Sequence, residues 1–138
     1  MSETLFASAE EAEDAFYQAF KTANLTAMMR VWLDADYVEC IHPMQHSLMG
    51  IDAIEESWQE VFNDGTEIQF ETVETHQLTK NDLAIHVVNE DIRLNGNQYA
   101  QILATNIYEN TPDGWRMILH HAAPASQDPD NKRRSTVH

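Results

Sequence analysis

Residues 37–58, YVECIHPMQHSLMGIDAIEESW, decide how this chain folds. From Tyr37 to His42 the pattern alternates strictly, with Val38, Cys40 and His42 on one side and Tyr37, Glu39 and Ile41 on the other. Pro43 ends that strand by removing an amide donor, and it biases His42 toward an extended backbone. The His42–Pro43 bond is open to a cis form. Gly50 closes the loop, and a helix follows from Ile51 to about Phe62, with Ile54, Trp58, Val61 and Phe62 on one stripe. Asn63-Asp64-Gly65 stops it. A strand carrying a histidine is thereby joined to an apolar helix wall, which is how a pocket is built.

Working outward, residues 1–8 read as a loose arm. From Ala9 to about Ala23, Ala12, Ala15, Phe16, Ala19, Phe20 and Ala23 recur at three- and four-residue steps and define one helical face. Ser8 supplies a cap, and Glu10 and Glu11 suit the first turn. Asn24 caps a second helix reaching about Leu33, with Leu25, Met28, Met29 and Trp32 inward. Beyond Gly65 the chain reads as strands over 67–79, 83–94, 98–109 and 115–123. Their turns fall at Lys80-Asn81-Asp82, Asn95-Gly96-Asn97 and Thr111–Gly114. Helix, helix, strand, helix and then a long meander predict an α+β domain over 1–124. Its curved, mostly antiparallel sheet wraps about three N-terminal helices around a cone-shaped cavity. Residues 125–138, rich in Asp, Asn, Ser and bases, read as a disordered tail.

Composition narrows the function classes. The net charge of −15, from 23 acids against 8 bases, repels phosphate backbones, so nucleic acid is not an expected partner. No apolar run approaches the ~18–20 residues of a membrane span. The N-terminal run lacks the basic and apolar regions of a secretory signal, so a cytoplasmic location is expected. One cysteine, Cys40, permits neither an internal disulfide nor a cysteine-based metal cluster, and it reads as a small buried strand residue.

Several runs in this order resemble the nuclear transport factor 2-like superfamily, and within it the SnoaL-like branch. They are Trp32-Leu-Asp-Ala-Asp-Tyr-Val38, Ile41-His42-Pro43, Gly50 through Trp58, Ala104-Thr-Asn-Ile-Tyr108 and Asp113 through His121, spanning roughly residues 9–123. Ketosteroid isomerases and the calmodulin-dependent kinase association domain share that superfamily. The resemblance implies that the residue before the proline of the first strand faces the cavity; ketosteroid isomerases place their aspartate base there, and this chain has His42. Their oxyanion aspartate maps onto Asn106, or onto Thr105 if the preceding loop shifts by one. Their oxyanion tyrosine maps near Phe16, which has no hydroxyl, while Tyr17 faces elsewhere by helical spacing. Steroid isomerisation is therefore not implied. In the kinase association domain the position matching Glu90 carries a cavity arginine, which favours an inward Glu90.

The candidate catalytic residues are His42, Glu90 and Asn106. A histidine paired with a carboxylate is held in one tautomer and kept near neutral pKa, as a general base requires, and an asparagine can donate to a developing oxyanion. Phe16, Phe20, Trp32, Cys40, Trp58, Phe62, His86, Val88, Tyr108 and His121 are expected to line the cavity. Alternation sends one of His120 and His121 inward, and parity with Trp115, Met117 and Leu119 favours His121. Structural readings stand beside these: His42 packing on Pro and Trp, His86 as a core residue, and Glu90 in an ion pair with Arg93 or Arg116. Three histidines with Glu90 would suit zinc, yet no pair has the spacing of a metal motif, so neither metal nor cofactor is expected. The expected partners are a small, largely apolar carbonyl-type ligand and a second copy of the chain. That copy would dock on the outer sheet face through Val87, Ile102, Ile107 and Ile118. The alternative is a non-catalytic binding or dimerisation module.

Overall fold

The computed structural model describes residues 5–65, 68–96 and 98–125. Its elements run α1 (Ala9–Thr22), α2 (Leu25–Val31), β1 (Glu39–Ile41), β2 (Leu48–Met49), α3 (Ile51–Asn63), β3 (Ile68–Lys80), β4 (Leu83–Leu94), β5 (Gln98–Thr111) and β6 (Gly114–Pro124). The α+β architecture anticipated from the sequence is present. Residues 126–138, most of the expected tail, lie outside the described residues.

Local chemistry sets the helix boundaries. Ser8 Oγ accepts from the Glu11 amide, and Glu11 Oε2 accepts from the Ala7 amide, so side chains satisfy two donors at the start of α1. Ala23 turns left-handed at φ 52°, after which Asn24 Oδ1 takes the Ala27 amide and opens α2. α2 ends at Val31, short of Leu33, because Trp32 is already extended and bridges Met117. Gly50 adopts φ 88° while its amide reaches the Val38 carbonyl at 2.9 Å, a turn that glycine permits at the entry to α3.

Six strands form one open sheet in the order β2-β1-β6-β5-β4-β3. β1 pairs in parallel with β6, and every other neighbour is antiparallel. Residues 5–8 are not wholly loose, contrary to expectation. The Leu5 amide donates to Asp113 O and the Trp115 amide to Phe6 O, which ties the arm to the β5–β6 turn. β1 is shorter than the predicted 37–42 run, yet Val38, Cys40 and His42 are all buried, so the predicted alternation holds.

Two register shifts re-aim side chains. Tyr108 pairs with Met117 and Ile107 with Leu119, leaving Ile118 as an extra residue on β6. Parity flips across it: Met117 and His120 both face the core, and His121 is exposed. The expectation that His121 points inward is thus corrected, the bulge being invisible to simple alternation. β3 shifts similarly between Glu74 and His76.

The helices cover one sheet face. Ala12, Phe16, Met28, Val31, Ile54 and Trp58 pack on Ala84, Val88, Tyr108 and Met117. Ile102 belongs to the inner face with Ala104 and is 5% exposed, so it cannot serve the outer interface proposed for it. Ile118, the bulge residue, packs against the main core instead. The outer face carries an apolar row running Leu78, Ile85, Ile107, Leu119 across four strands.

Candidate functional site

The strand end at residue 42 and the first turns of α3 bring two polar side chains together. His42 Nε2 lies 3.0 Å from Ser57 Oγ, and the Ser57 hydroxyl donates at 2.7 Å to the Ile54 carbonyl one turn back. The serine proton being committed, Ser57 accepts from His42, so the imidazole carries its proton on Nε2 and leaves Nδ1 as a lone pair. Burial holds the His42 pKa below its ordinary value, which favours the neutral ring. The ring sits edge-on to Trp58 at 4.8 Å, and Cys40 Sγ approaches Nε2 at 3.7 Å. Burial pushes the Cys40 thiol up to about 12, so it stays protonated and is no nucleophile at neutral pH. Pro43 is trans, there being no cis peptide bond among the described residues.

A pocket of about 350 Å³ opens at His42, lined further by Gln45, Ser57, Glu60, Val61, Asp64, Ile68 and Leu94. Its apolar wall comes from α3 and the facing ends of β3 and β4. Among the residues nominated from sequence, His42 is the one on this wall.

Glu90 and Asn106 sit elsewhere, in a closed hydrogen-bond network. Tyr17 Oη donates to Glu90 Oε2 at 2.7 Å and accepts from Asn106 Nδ2 at 3.0 Å. The same amide nitrogen lies 3.2 Å from Glu13 Oε2, to which Tyr108 Oη donates at 2.9 Å. Asn106 Oδ1 lies 2.6 Å from His120 Nδ1, which fixes the His120 proton on that nitrogen. Desolvation raises the Glu90 carboxyl to about 7, the Tyr17 hydrogen bond opposing it and Glu13 adding to it. Burial, with smaller contributions from His42 and His121, lowers His120 to about 3, so its ring is neutral. Burial likewise raises both Tyr17, where Glu90 adds to the effect, and Tyr108, where Glu13 does. Trp58 stands between the two clusters, its ring 4.8 Å from His42 and 6.1 Å from His120.

Glu90 therefore pairs with Tyr17 rather than with His42, Arg93 or Arg116. Helical spacing had turned Tyr17 away; in fact the buried stripe of α1 runs Ala9, Ala12, Glu13, Phe16, Tyr17, Ala19. The missed signal is the i, i+4 pair Glu13 and Tyr17, polar residues flanking Phe16 on the core side. Phe16, Trp32, Cys40, Trp58, His86, Val88 and Tyr108 are buried, and Phe20 and Phe62 are half-buried. These side chains pack on one another; Phe16 alone touches the rings of Tyr17, Phe20, Trp58 and His120.

His86 lies under Tyr108 with Nδ1 3.1 Å from Glu13 Oε2, without hydrogen-bond geometry at either ring nitrogen. The three histidines thus occupy separate surroundings, beside Ser57, Glu13 and Asn106. Among the described residues, the group whose ligand atoms could share one metal ion is Glu13, Glu74 and His86.

Known proteins share this family and this fold. The SnoaL-like domain family matches residues 9–127. The F-box protein SKIP8 of Arabidopsis thaliana is 34% identical over 110 residues, covering 78% of this chain but 46% of that protein, so this chain spans about half its length. A Thiobacillus denitrificans structure described as a candidate calcium/calmodulin-dependent protein kinase type II association domain is 38% identical. It superposes with a TM-score of 0.85 over 90% of this chain and 100% of its own. A Streptomyces avermitilis structure, described as a candidate dehydratase of the NTF2-like family, is 31% identical with a TM-score of 0.75, covering 83% of this chain and 91% of its own. The chain belongs to the SnoaL-like domain family and has the NTF2-like fold.

Proposed function

We propose that this chain binds a small, largely apolar carbonyl-type molecule in the His42 pocket, and that His42 Nδ1 accepts a proton from the carbon beside the carbonyl, or a hydrogen bond from the O–H of an acid. The observation carrying this reading is the Ile54–Ser57–His42 relay, which leaves a neutral imidazole in the lining of a 350 Å³ pocket with no hydrogen-bond partner for Nδ1 among the described residues. General-base chemistry needs that tautomer and that access. Glu90 and Asn106 act at one remove: their network with Tyr17 and His120 braces the far side of Trp58, against which His42 packs. The test is an NMR screen of small ketones, enones and carboxylic acids against the wild type and His42→Ala. Ligand shifts should cluster at Gln45, Ser57 and Val61 and vanish in the variant. Binding that persists unchanged in His42→Ala, or maps elsewhere, refutes the reading. A turnover assay on the ligands found then separates enzyme from binder.

A second reading has its own observation. The outer row Leu78, Ile85, Ile107, Leu119, with Val73 and Leu103 exposed beside it, offers an apolar face to a second copy of the chain. The likeness to an association-domain structure favours assembly as well. Sedimentation of wild type and Leu78→Glu tests it; a monomeric wild type refutes it.

A further inference from the structure

His86 is 0% exposed, yet neither ring nitrogen has a hydrogen-bond partner among the described residues. A buried imidazole with both nitrogens unsatisfied is unusual and calls for an explanation. Three carboxylates surround it: Glu13 Oε2 at 3.1 Å from Nδ1, Glu10 Oε2 at 3.9 Å from Nε2, and Glu74 on the neighbouring strand β3. One ligand atom each from Glu13, Glu74 and His86 lies within 4.8 Å of the other two.

We propose that Glu13, Glu74 and His86 form a binding site for a divalent first-row transition ion of the zinc type. An imidazole with two carboxylates suits zinc, and the two carboxylates balance its charge in a chain of net charge −15. The hard ions calcium and magnesium prefer all-oxygen sites, so the histidine argues against them. Glu13 is already held as a metal-binding carboxylate usually is, with Tyr108 and Asn106 donating to its Oε2. Glu74 stands at the β3 register shift, where Thr75 Oγ1 donates to the Val87 carbonyl and fixes the bend. Ligand distances of about 2.0–2.2 Å put neighbouring ligand atoms roughly 3.3–3.6 Å apart; Glu13 and His86, at 3.1 Å, are already that close, and exposed Glu74 is free to move in. Three protein ligands leave room for water, with Glu10 at hand as a further carboxylate. The site lies on α1, β3 and β4, apart from the residues of the His42 pocket.

The experiment is zinc titration of the metal-stripped full chain by calorimetry, with cobalt absorption reporting coordination. One ion per chain is expected, together with a zinc-dependent rise in thermal midpoint. Glu74→Gln, an exposed change that spares the core, should weaken binding by at least about tenfold, and His86→Gln should abolish it. Glu71→Gln, also on β3, and His76→Gln should leave it unchanged. Failure of the wild type to bind overturns the proposal, as does binding that survives both Glu74→Gln and His86→Gln, which would belong to exposed histidines.

Discussion

Replacing Glu90 by Gln should abolish a pH-dependent penalty that burial builds into the native state. Glu90 is 2% exposed, and its carboxyl is raised from 4.5 to about 7. Below 4.5 the folded and unfolded chains both hold the proton, and the group contributes no pH dependence. Between 4.5 and 7 the unfolded chain has released the proton while the folded one keeps it, so stability falls as pH rises; above 7 the loss is complete. A rise from 4.5 to about 7 corresponds to about 3 kcal/mol. Gln keeps a carbonyl for the Tyr17 hydroxyl to donate to and cannot ionise, so the relay survives while the penalty goes. Urea unfolding of both proteins at pH 4.5, 6 and 8 reads this directly, because the many surface acids cancel in the difference. The variant should gain on the wild type progressively from pH 4.5 to 7 and hold that gain at pH 8. Parallel stability curves across that range would show that Glu90 is solvated or ionised in the native state, and the sealed network would be wrong.

His120 has the opposite sign. With its pKa lowered to about 3, the unfolded chain takes up a proton below its ordinary 6.5 while the folded one does not, so stability is lost as pH falls from 6.5 toward 3. Its ring resonances should accordingly not titrate above pH ~4, read by NMR at the Nδ1-protonated tautomer. Ser57→Ala deprives His42 Nε2 of its acceptor and should cost roughly 1 kcal/mol by urea unfolding, with altered tautomer shifts at His42. Phe16→Ala removes the ring that touches Tyr17, Phe20, Trp58 and His120, and should cost about 3–5 kcal/mol in the same assay.

The readable part of this fold was what local chemistry controls. Ser8 and Asn24 announced their helices through side-chain oxygens, and Asn81, Asn95 and Gly96 marked turns because each tolerates the positive φ it adopts. Alternation along β4 put Ala84, His86, Val88 and Glu90 on one face, and all four are buried. The site was less legible, for two physical reasons. A single extra residue at Ile118 reverses parity, and no residue type there signals it, so the sequence pointed to His121 where the fold uses His120. Polarity also misleads on α1, where Tyr17 reads as facing away and Glu13 goes unremarked until Asn106 and Tyr108 arrive from a strand some ninety residues later to satisfy them. The first error is one of parity, which a bulge resets. The second is one of partners, because a buried polar group is stable only where its hydrogen bonds are met, and here they are met by residues distant in sequence. His42 could be placed on a pocket wall because its helix wall lies within the same short run of chain as the residue itself, with Ser57 fifteen residues on. Where pocket and partner are contiguous in sequence, chemistry can be read early; where α1 must meet β4, β5 and β6, it emerges only with the fold.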